Sequence, residues 1–273
     1  MSVAEANLIR GLRGEQIVSP TAEEAARLLA TRLSEHLRQR LTMVSIAHLA
    51  LSGGSSARLL GSALATANAL AGSEWSRIHV WLVDERCVAA DDPRLNFSLV
   101  RDSLLPRVPL PLANLHPMPV LQTDGAGRYE AELRGALAMQ RDSTDSRLDA
   151  VVLGMGSDGH TASLFPGSPA LDERKRLIVL NDGDRVAQPR PRMTMTYPLL
   201  DRAYLIALLV TGAGKKMALE QAAENPSDFH AWPVTGLVPA ADSRMLWCLD
   251  QEAAAKDQEA TKVGDTSTTP MSG

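Results

Sequence analysis

The chain has 273 residues, of which 45% are hydrophobic and only 4% aromatic, so aliphatic side chains must fill its core. Its 28 basic and 32 acidic residues give a formal net charge of −4, which argues against the basic surface typical of nucleic-acid binding, and we expect no nucleic-acid partner. The two cysteines, Cys87 and Cys248, form no CxxC pair, which argues against a disulfide framework and a cysteine-built metal site.

The sequence also predicts where the chain is located. It contains no run of about 18 uninterrupted apolar residues, so we expect no membrane-spanning helix and no membrane partner. The first 16 residues carry scattered charges and lack the apolar region of a signal peptide. With few cysteines, these features predict a cytoplasmic protein.

Helices and strands alternate along the chain. Thr21 and Glu24 form a predicted capping box in front of a helix. The apolar face of this helix repeats every fourth residue, at Leu29, Leu33, Leu37 and Leu41. Further helices are predicted from 56 through 64, over 95–105, over 127–140 and from about Lys215. Strands are predicted over 44–51, 78–83, 149–154, 192–196, 203–210 and 247–249.

This alternation predicts βαβ units and an α/β fold with a mostly parallel sheet and helices on both faces. In such sheets ligands bind beyond the carboxyl ends of the strands. Three polar breaks follow predicted strands, at 52–56, 84–86 and 154–160. Residues 1–250 are predicted to form one domain. Residues 251–273 are predicted to be a disordered tail, with a helical turn or two possible at 252–256, because the segment has few apolar side chains to bury.

The first polar break, Ser52-Gly53-Gly54-Ser55-Ser56, lies between a strand and a helix start. Backbone N–H groups, serine hydroxyls and the helix dipole all favour an anion at such a place. A plain tight turn explains the same pattern equally well.

The break at Gly154–His160 is more specific, because three glycines, Asp158 and His160 fall within seven residues. Imidazole is the side chain whose ordinary pKa suits proton transfer near neutral pH. Asp158 either fixes the tautomer of His160 or holds a substrate hydroxyl. The alternative interpretation is a surface loop with an incidental histidine.

Other charged residues stand at the ends of predicted elements. Asp84-Glu85-Arg86 reads either as a solvated charge cluster or as a carboxylate and a guanidinium aimed at the cleft. Arg192 and Lys215 are further candidates. A cation near a helix start opposes the helix dipole, which a bound anion near Lys215 would explain. The sequence has no GxSxG, no HExxH and no histidines at ligand spacing, so neither a serine nucleophile nor a metal site is predicted.

The segment from Asp149 to Gly167, DAVVLGMGSDGHTASLFPG, resembles the signature of 6-phosphogluconolactonases. Other segments agree with this family in order and spacing. These segments are Ser52–Ser55, Trp81–Val88 with Asp91-Asp92-Pro93 and Asn96, Arg192–Thr196, and Gly212–Lys215. The resemblance runs from about residue 20 to 250. Ala57 stands where many relatives have proline and Leu95 where serine is common, and we expect the site to tolerate both.

The resemblance implies hydrolysis of 6-phospho-D-glucono-1,5-lactone to 6-phospho-D-gluconate, a step of the pentose phosphate pathway. It also implies a modified Rossmann-like sheet shared with glucosamine-6-phosphate deaminases. The implied catalytic residues are His160, Asp158, Asp84 and Arg86. The implied substrate-binding residues are Gly53, Gly54, Ser55, Ser56, Asn96, Arg192 and Lys215. The small sugar-phosphate lactone is the expected partner, without cofactor or metal, and a monomer is expected with an oligomer left open.

Two other functions fit parts of the pattern. The related deaminases carry a glutamate five residues after the histidine, whereas this chain has Phe165, and they show tyrosine where this chain has Arg86. A sugar-phosphate sensor of a transcription regulator would need a basic helix-turn-helix, for which the 19 residues before Pro20 are too few and too neutral. The lactonase interpretation is therefore favoured.

Overall fold

The computed structural model describes residues 8–66, 70–139, 147–182 and 191–255. Its strands, in chain order, are β1 (Glu15–Ser19), β2 (Ala47–Leu51), β3 (Ile78–Leu82), β4 (Asp84–Arg86), β5 (Leu115–His116), β6 (Ala150–Leu153), β7 (Ile178–Asn181), β8 (Arg192–Met195), β9 (Leu205–Val210) and β10 (Arg244–Asp250). Its helices are α1 (Ala22–Leu41), α2 (Gly54–Thr66), α3 (Gly72–Trp75), α4 (Asn96–Leu104), α5 (Gly125–Met139), α6 (Tyr197–Leu200), α7 (Lys216–Glu224) and α8 (Gln251–Ala254).

The main sheet is parallel and has seven strands in the order β1-β10-β9-β6-β2-β3-β5. Every residue of β2, β6 and β9 is buried, as expected for central strands covered on both faces. The predicted α/β fold class is therefore confirmed. No helix among the described residues is long and apolar enough to cross a membrane.

Helix α1 forms as its sequence predicts, with its apolar face against the sheet. Leu29, Leu33 and Leu37 are fully buried, and the helix packs on β9, β10 and α2. Half of the predicted capping box is present, since Oγ1 of Thr21 accepts the backbone N–H of Glu24 at 3.2 Å. The carboxylate of Glu24 instead lies 3.7 Å from Arg27.

A second, antiparallel sheet in the order β4-β8-β7 was not predicted. Val83 joins it to the main sheet, because its N–H donates to Leu51 O at 3.0 Å and its carbonyl accepts from the N–H of Met195 at 2.8 Å. Asp84–Arg86 is therefore a short strand, and the solvated cluster considered for it is wrong, since Asp84 and Glu85 are buried.

The folded part extends past the predicted boundary at residue 250. Asp250 caps α8 by accepting the N–H of Ala253 at 2.9 Å, and the side chains of Ala253 and Ala254 are buried. The helical turn considered for 252–256 corresponds to α8, where a capping carboxylate and two small apolar side chains suffice for one docked turn. The disorder of the rest of the tail stays a prediction. Residues 256–273 lie outside the described residues.

Candidate active site

A cavity of about 190 Å³ lies at the carboxyl ends of the parallel strands. Its lining comes from the segments that follow β2, β3, β6 and β9, together with the facing strand β8. Adjacent parallel strands deliver their ends to one edge of a sheet, which is why segments distant in sequence meet there. Nine predicted site residues line the cavity: Gly53, Gly54, Ser56, Asp84, Arg86, Asn96, His160, Arg192 and Lys215.

The glycine-serine loop leads from β2 into α2. Gly54 has a φ of +80°, which a residue with a side chain would adopt only under strain. The first turn of α2 contains no acidic residue, so nothing opposes an anion at this helix start. The hydroxyl of Ser56 donates to Leu209 O at 3.3 Å and thereby ties the helix to β9. The side chain of Ser55 lies outside the described residues, and its role stays a prediction.

The loop after β6 holds an imidazole and a carboxylate together. Nδ1 of His160 lies 2.6 Å from Oδ1 of Asp158, which also accepts the backbone N–H of His160 at 3.2 Å. The backbone closes the loop, since the N–H of Gly156 donates to His160 O at 2.8 Å. Asp158 does not line the cavity but stands behind the imidazole.

This contact fixes the direction of the imidazole. In the neutral tautomer with the proton on Nδ1, His160 donates to Asp158 and its Nε2 lone pair is left to act as a base. Burial acts to raise the pKa of Asp158, but the hydrogen bond and charge of His160 outweigh it and the net pKa is lowered. Asp158 therefore stays ionised and can stabilise the imidazolium that forms when His160 takes a proton.

Phe165 and Arg192 form the wall beside the imidazole. The rings of Phe165 and His160 are 4.9 Å apart, and the guanidinium of Arg192 lies 5.2 Å above the Phe165 ring. Arg192 is opposite Arg86 in the β4–β8 register, so two guanidiniums enter the site from neighbouring strands. Burial lowers the pKa of Arg192, and the carboxylate of Asp84 works against that lowering.

Asp84 is held by a buried polar network. Its Oδ2 accepts from the hydroxyl of Ser163 at 2.5 Å, and its Oδ1 accepts from Nδ2 of Asn96 at 3.1 Å. The same Asn96 amide also donates to Asp84 O at 2.9 Å. These bonds leave the carboxylate with little freedom to turn away from the cavity.

Glu85, directly beside Asp84, faces the start of α4 instead of the cavity. Its carboxylate accepts the backbone N–H groups of Arg86 at 2.7 Å, Asn96 at 2.8 Å and Phe97 at 2.7 Å. Burial raises the pKa of Glu85, although these three bonds act in the opposite direction. The carboxylate thus supplies from another element the cap that Leu95, at the N-cap position, lacks.

Three buried polar atoms at the cavity have no protein partner among the described residues. They are Oγ of Ser52, Nε of Arg86 and Oδ1 of Asn96. Buried polar atoms are normally hydrogen-bonded, so their convergence on one cavity indicates that the site takes a polar ligand.

Lys215 enters the cavity after β9. Lys215 is the last residue of a 3-10 turn, Ala213–Lys215, and α7 begins at Lys216. The residue therefore lies one position before the helix, whereas the sequence predicted a helix from about Lys215. Within the described part of the chain, no carboxylate lies within ion-pair distance of its ammonium. Burial lowers its pKa, while the more distant charge of Asp158 raises it.

Three residues around the site were not predicted from the sequence. Glu85 and Ser163 hold the Asp84 network, and Trp232 packs against Gly159, where a Cβ would lie 2.7 Å from its ring. Ser163 and Trp232 act on partners more than 70 residues away, and Glu85 acts on backbone N–H groups, which no side-chain pattern reveals. Among the described residues, no group of three or more His, Cys, Asp or Glu side chains is arranged to hold a metal ion.

Comparison with known proteins places the chain in a family. The family described as glucosamine-6-phosphate isomerases/6-phosphogluconolactonase matches residues 20–247. A Synechocystis protein named 6-phosphogluconolactonase is 37% identical over 234 residues, which cover 85% of this chain and 91% of that protein. The chain belongs to this family. The predicted family is thereby confirmed.

Other relatives extend the comparison. The human GDH/6PGL endoplasmic bifunctional protein is 37% identical over 249 residues, and this chain spans about 30% of its length. A solved 6-phosphogluconolactonase from Trypanosoma cruzi superposes with a TM-score of 0.75 at 26% identity, covering 89% of this chain and 96% of that one. A solved monomeric glucosamine-6-phosphate deaminase gives a TM-score of 0.71 at 19% identity, which shows a shared fold alone.

Proposed function

We propose that this chain hydrolyses 6-phospho-D-glucono-1,5-lactone to 6-phospho-D-gluconate, a step of the pentose phosphate pathway. The observation that carries the proposal is the His160 imidazole, held 2.6 Å from Asp158 at a cavity that two guanidiniums and an ammonium also line. The relatives named 6-phosphogluconolactonase support it, because they match most of this chain.

The substrate phosphate is the handle that positions the lactone. We assign it to the start of α2 and to Lys215, where backbone N–H groups and an ammonium without an ion-pair partner among the described residues face the cavity. Seating the phosphate there brings the ring carbonyl toward the loop that carries His160.

In the chemical step, Nε2 of His160 takes a proton from water as the water oxygen attacks the lactone carbonyl. The guanidinium of Arg192 or Arg86 stabilises the oxyanion. As the bond between the carbonyl carbon and the ring oxygen breaks, the imidazolium returns its proton to that oxygen. The open-chain carboxylic acid and hydroxyl are the products, and His160 is neutral again. The acid then releases its remaining proton to the solvent and becomes the carboxylate.

Phe165 argues for hydrolysis over the deaminase reaction. Its ring occupies the wall beside His160, at 4.9 Å between ring centroids, at the position where the deaminases carry a glutamate. An apolar ring has no carboxylate with which to assist proton transfer from the histidine.

The test compares two substrates on the purified full-length chain. We expect lactone consumption well above the spontaneous rate and no release of ammonia from glucosamine-6-phosphate. Ammonia release without accelerated lactone hydrolysis would assign the chain to the deaminase branch.

We further propose a cytoplasmic location for the chain. It rests on the sequence alone, and relatives named as chloroplastic or endoplasmic show that the fold also serves elsewhere. The absence of a nucleic-acid partner and the monomeric state stay predictions, which fractionation and sedimentation would test.

A further inference from the structure

A second cavity, of about 760 Å³, shares no lining residue with the candidate active site. We call it the basic pocket, because five cationic side chains line it: Arg13, Arg134, Arg174, Lys175 and Arg202. Asp201 is the one acidic residue among the described residues that line it. The pocket is thus locally basic, although the whole chain has a formal net charge of −4.

Two of the guanidiniums are held by carbonyl oxygens. Arg13 donates to Thr235 O at 2.7 Å and to Pro226 O at 3.3 Å. Arg174 donates to Leu171 O at 2.6 Å and to Glu173 O at 3.0 Å. A carbonyl partner orders a guanidinium without neutralising it, so both keep their charge and further N–H donors.

Carboxylates neutralise the pocket only in part. Arg134 pairs with Glu130 at 2.8 Å, whereas Arg174 reaches Asp172 only at 4.0 Å, between exposed side chains. An exposed pair at that distance contributes little. Arg13 and Lys175 have no carboxylate within ion-pair distance among the described residues, so the pocket keeps positive charge.

Asp201 opposes an anion only weakly near neutral pH. It is partly buried at the end of α6, and its Oδ1 accepts the N–H of Val238 at 3.0 Å. Burial raises its pKa to about 7, although that hydrogen bond, Arg174 and Arg13 act in the opposite direction. Around pH 7 the carboxyl is therefore only partly ionised.

We propose that the basic pocket binds a small molecule carrying phosphate groups, at a site separate from the candidate active site. The volume lies in the range of small-molecule sites. Guanidiniums match phosphate oxygens through paired N–H donors, and a phosphate group carries enough charge to engage several cations at once. Phe229, whose ring lies 5.6 Å from the Arg174 guanidinium, adds an apolar wall for the rest of the ligand. The proposal does not depend on the lactonase function.

The wall of the basic pocket also supports the loop that carries His160. Thr235 and Gly236 line the pocket, and the N–H of the neighbouring Val234 donates to Gly159 O at 2.9 Å. In the same segment, Trp232 packs against Gly159. A ligand in the basic pocket would therefore contact the segment on which the catalytic loop rests.

The test is isothermal titration of the full-length chain with inorganic pyrophosphate at constant ionic strength. Every protein carries Lys215→Ala, which weakens binding at the candidate active site. Adding Arg174→Gln and Lys175→Gln is expected to weaken pyrophosphate binding about tenfold. The matched control is Arg176→Gln, an exposed guanidinium on the same segment that does not line the pocket, and it should leave the affinity unchanged.

A second variant should bind pyrophosphate more tightly, an effect that misfolding does not produce. Asp201→Asn keeps an acceptor for Val238 and removes the negative charge, so pyrophosphate should bind about threefold more tightly at pH 8. At pH 6, where the carboxyl is mostly protonated, the Asp201→Asn chain should bind pyrophosphate with the same affinity as the parent chain. The charged and titratable groups that face Asp201 are Arg13, Arg174 and the Tyr197 hydroxyl, and burial raises the pKa of Tyr197 further above this pH range.

Three results would overturn the proposal. One is the absence of pyrophosphate binding to the parent chain. Another is equal affinity in the Arg174→Gln/Lys175→Gln chain and in the Arg176→Gln chain. The third is an Asp201→Asn chain that binds no more tightly than the parent at pH 8.

Discussion

At Gly156, a Cβ atom would lie 2.1 Å from Nδ1 of His160 and 2.3 Å from Oδ1 of Asp158. Any side chain there would separate the imidazole from its carboxylate. Ala162, also at the cavity, has a φ of +52°, a conformation uncommon for a residue with a Cβ. The backbone around His160 is thus fitted closely to the position of the imidazole.

Asp158→Asn tests the partnership with His160. An asparagine keeps the shape but removes the charge that stabilises the imidazolium, and its amide can favour the wrong tautomer. We expect kcat for lactone hydrolysis to fall about 10²–10⁴-fold with little change in KM. Asp172→Asn, at an exposed carboxylate outside the cavity, is the control. An unchanged kcat would show that Asp158 does not act through His160.

Lys215→Ala tests the placement of the phosphate. Losing a charged hydrogen bond to the phosphate should raise KM for the phosphorylated lactone about 10–100-fold and leave kcat nearly unchanged. The KM for unphosphorylated gluconolactone should be the same in the Lys215→Ala chain and in the wild type. Arg32→Ala, at an exposed cation on α1 that lines neither cavity, serves as the control. Equal losses on both lactones would contradict the assignment.

At the scale of elements, β4 and α4 form one unit through Glu85. Its carboxylate fixes the start of α4 by accepting the backbone N–H groups of Asn96 and Phe97, and Asn96 in turn holds Asp84. A glutamate that does not face the cavity thereby sets the position of two side chains that do.

Glu85→Gln tests this unit. The glutamine side chain has one acceptor oxygen where the carboxylate has two, so one N–H donor at the start of α4 loses its partner. We expect the free energy of unfolding to fall by about 1–3 kcal/mol and kcat/KM to fall about tenfold. Glu23→Gln, an exposed glutamate in the first turn of α1, is the control for both measurements. Loss of stability without loss of kcat/KM would contradict the positioning role.

Periodic elements could be predicted from the sequence, and elements made by distant pairing could not. The leucines of α1 and the apolar runs of β2, β6 and β9 carry their own signal. Asp84–Arg86 is three charged residues, and it becomes a strand only because β8, more than a hundred residues later, pairs with it. For the same reason Glu85 looked like part of a solvated cluster.

For the whole molecule, the strand-end breaks predicted where the candidate site lies, because parallel strands collect their ends at one edge. The basic pocket could not be predicted. Its cations come from four separate stretches of chain, around residues 13, 134, 174 and 202, and no spacing in the sequence connects them.

Stability should fall under mild acid because of two partly buried histidines. Burial lowers the pKa of His36 and of His79, and His116 lowers that of His79 further. Above pH 6.5 both are neutral in the folded and unfolded chains; below it the unfolded chain binds protons first, so folding loses stability as pH falls.

The measurement is the free energy of unfolding by urea between pH 7.5 and 5. In the His79→Gln chain, the free energy of unfolding should decrease less as the pH falls. The control is His230→Gln, at an exposed histidine, in which this decrease should be the same as in the wild type. An identical pH dependence in the His79→Gln chain would contradict this account.

The central claim is that His160 is the general base of a lactone hydrolysis. The most direct test is the initial rate of 6-phospho-D-glucono-1,5-lactone hydrolysis by the purified chain and by His160→Ala, with His230→Ala as the matched control. We expect a wild-type rate well above the spontaneous one and a loss of about 10²–10⁴-fold in kcat for His160→Ala, with folding intact. A rate near that of the wild type in the His160→Ala chain would contradict it.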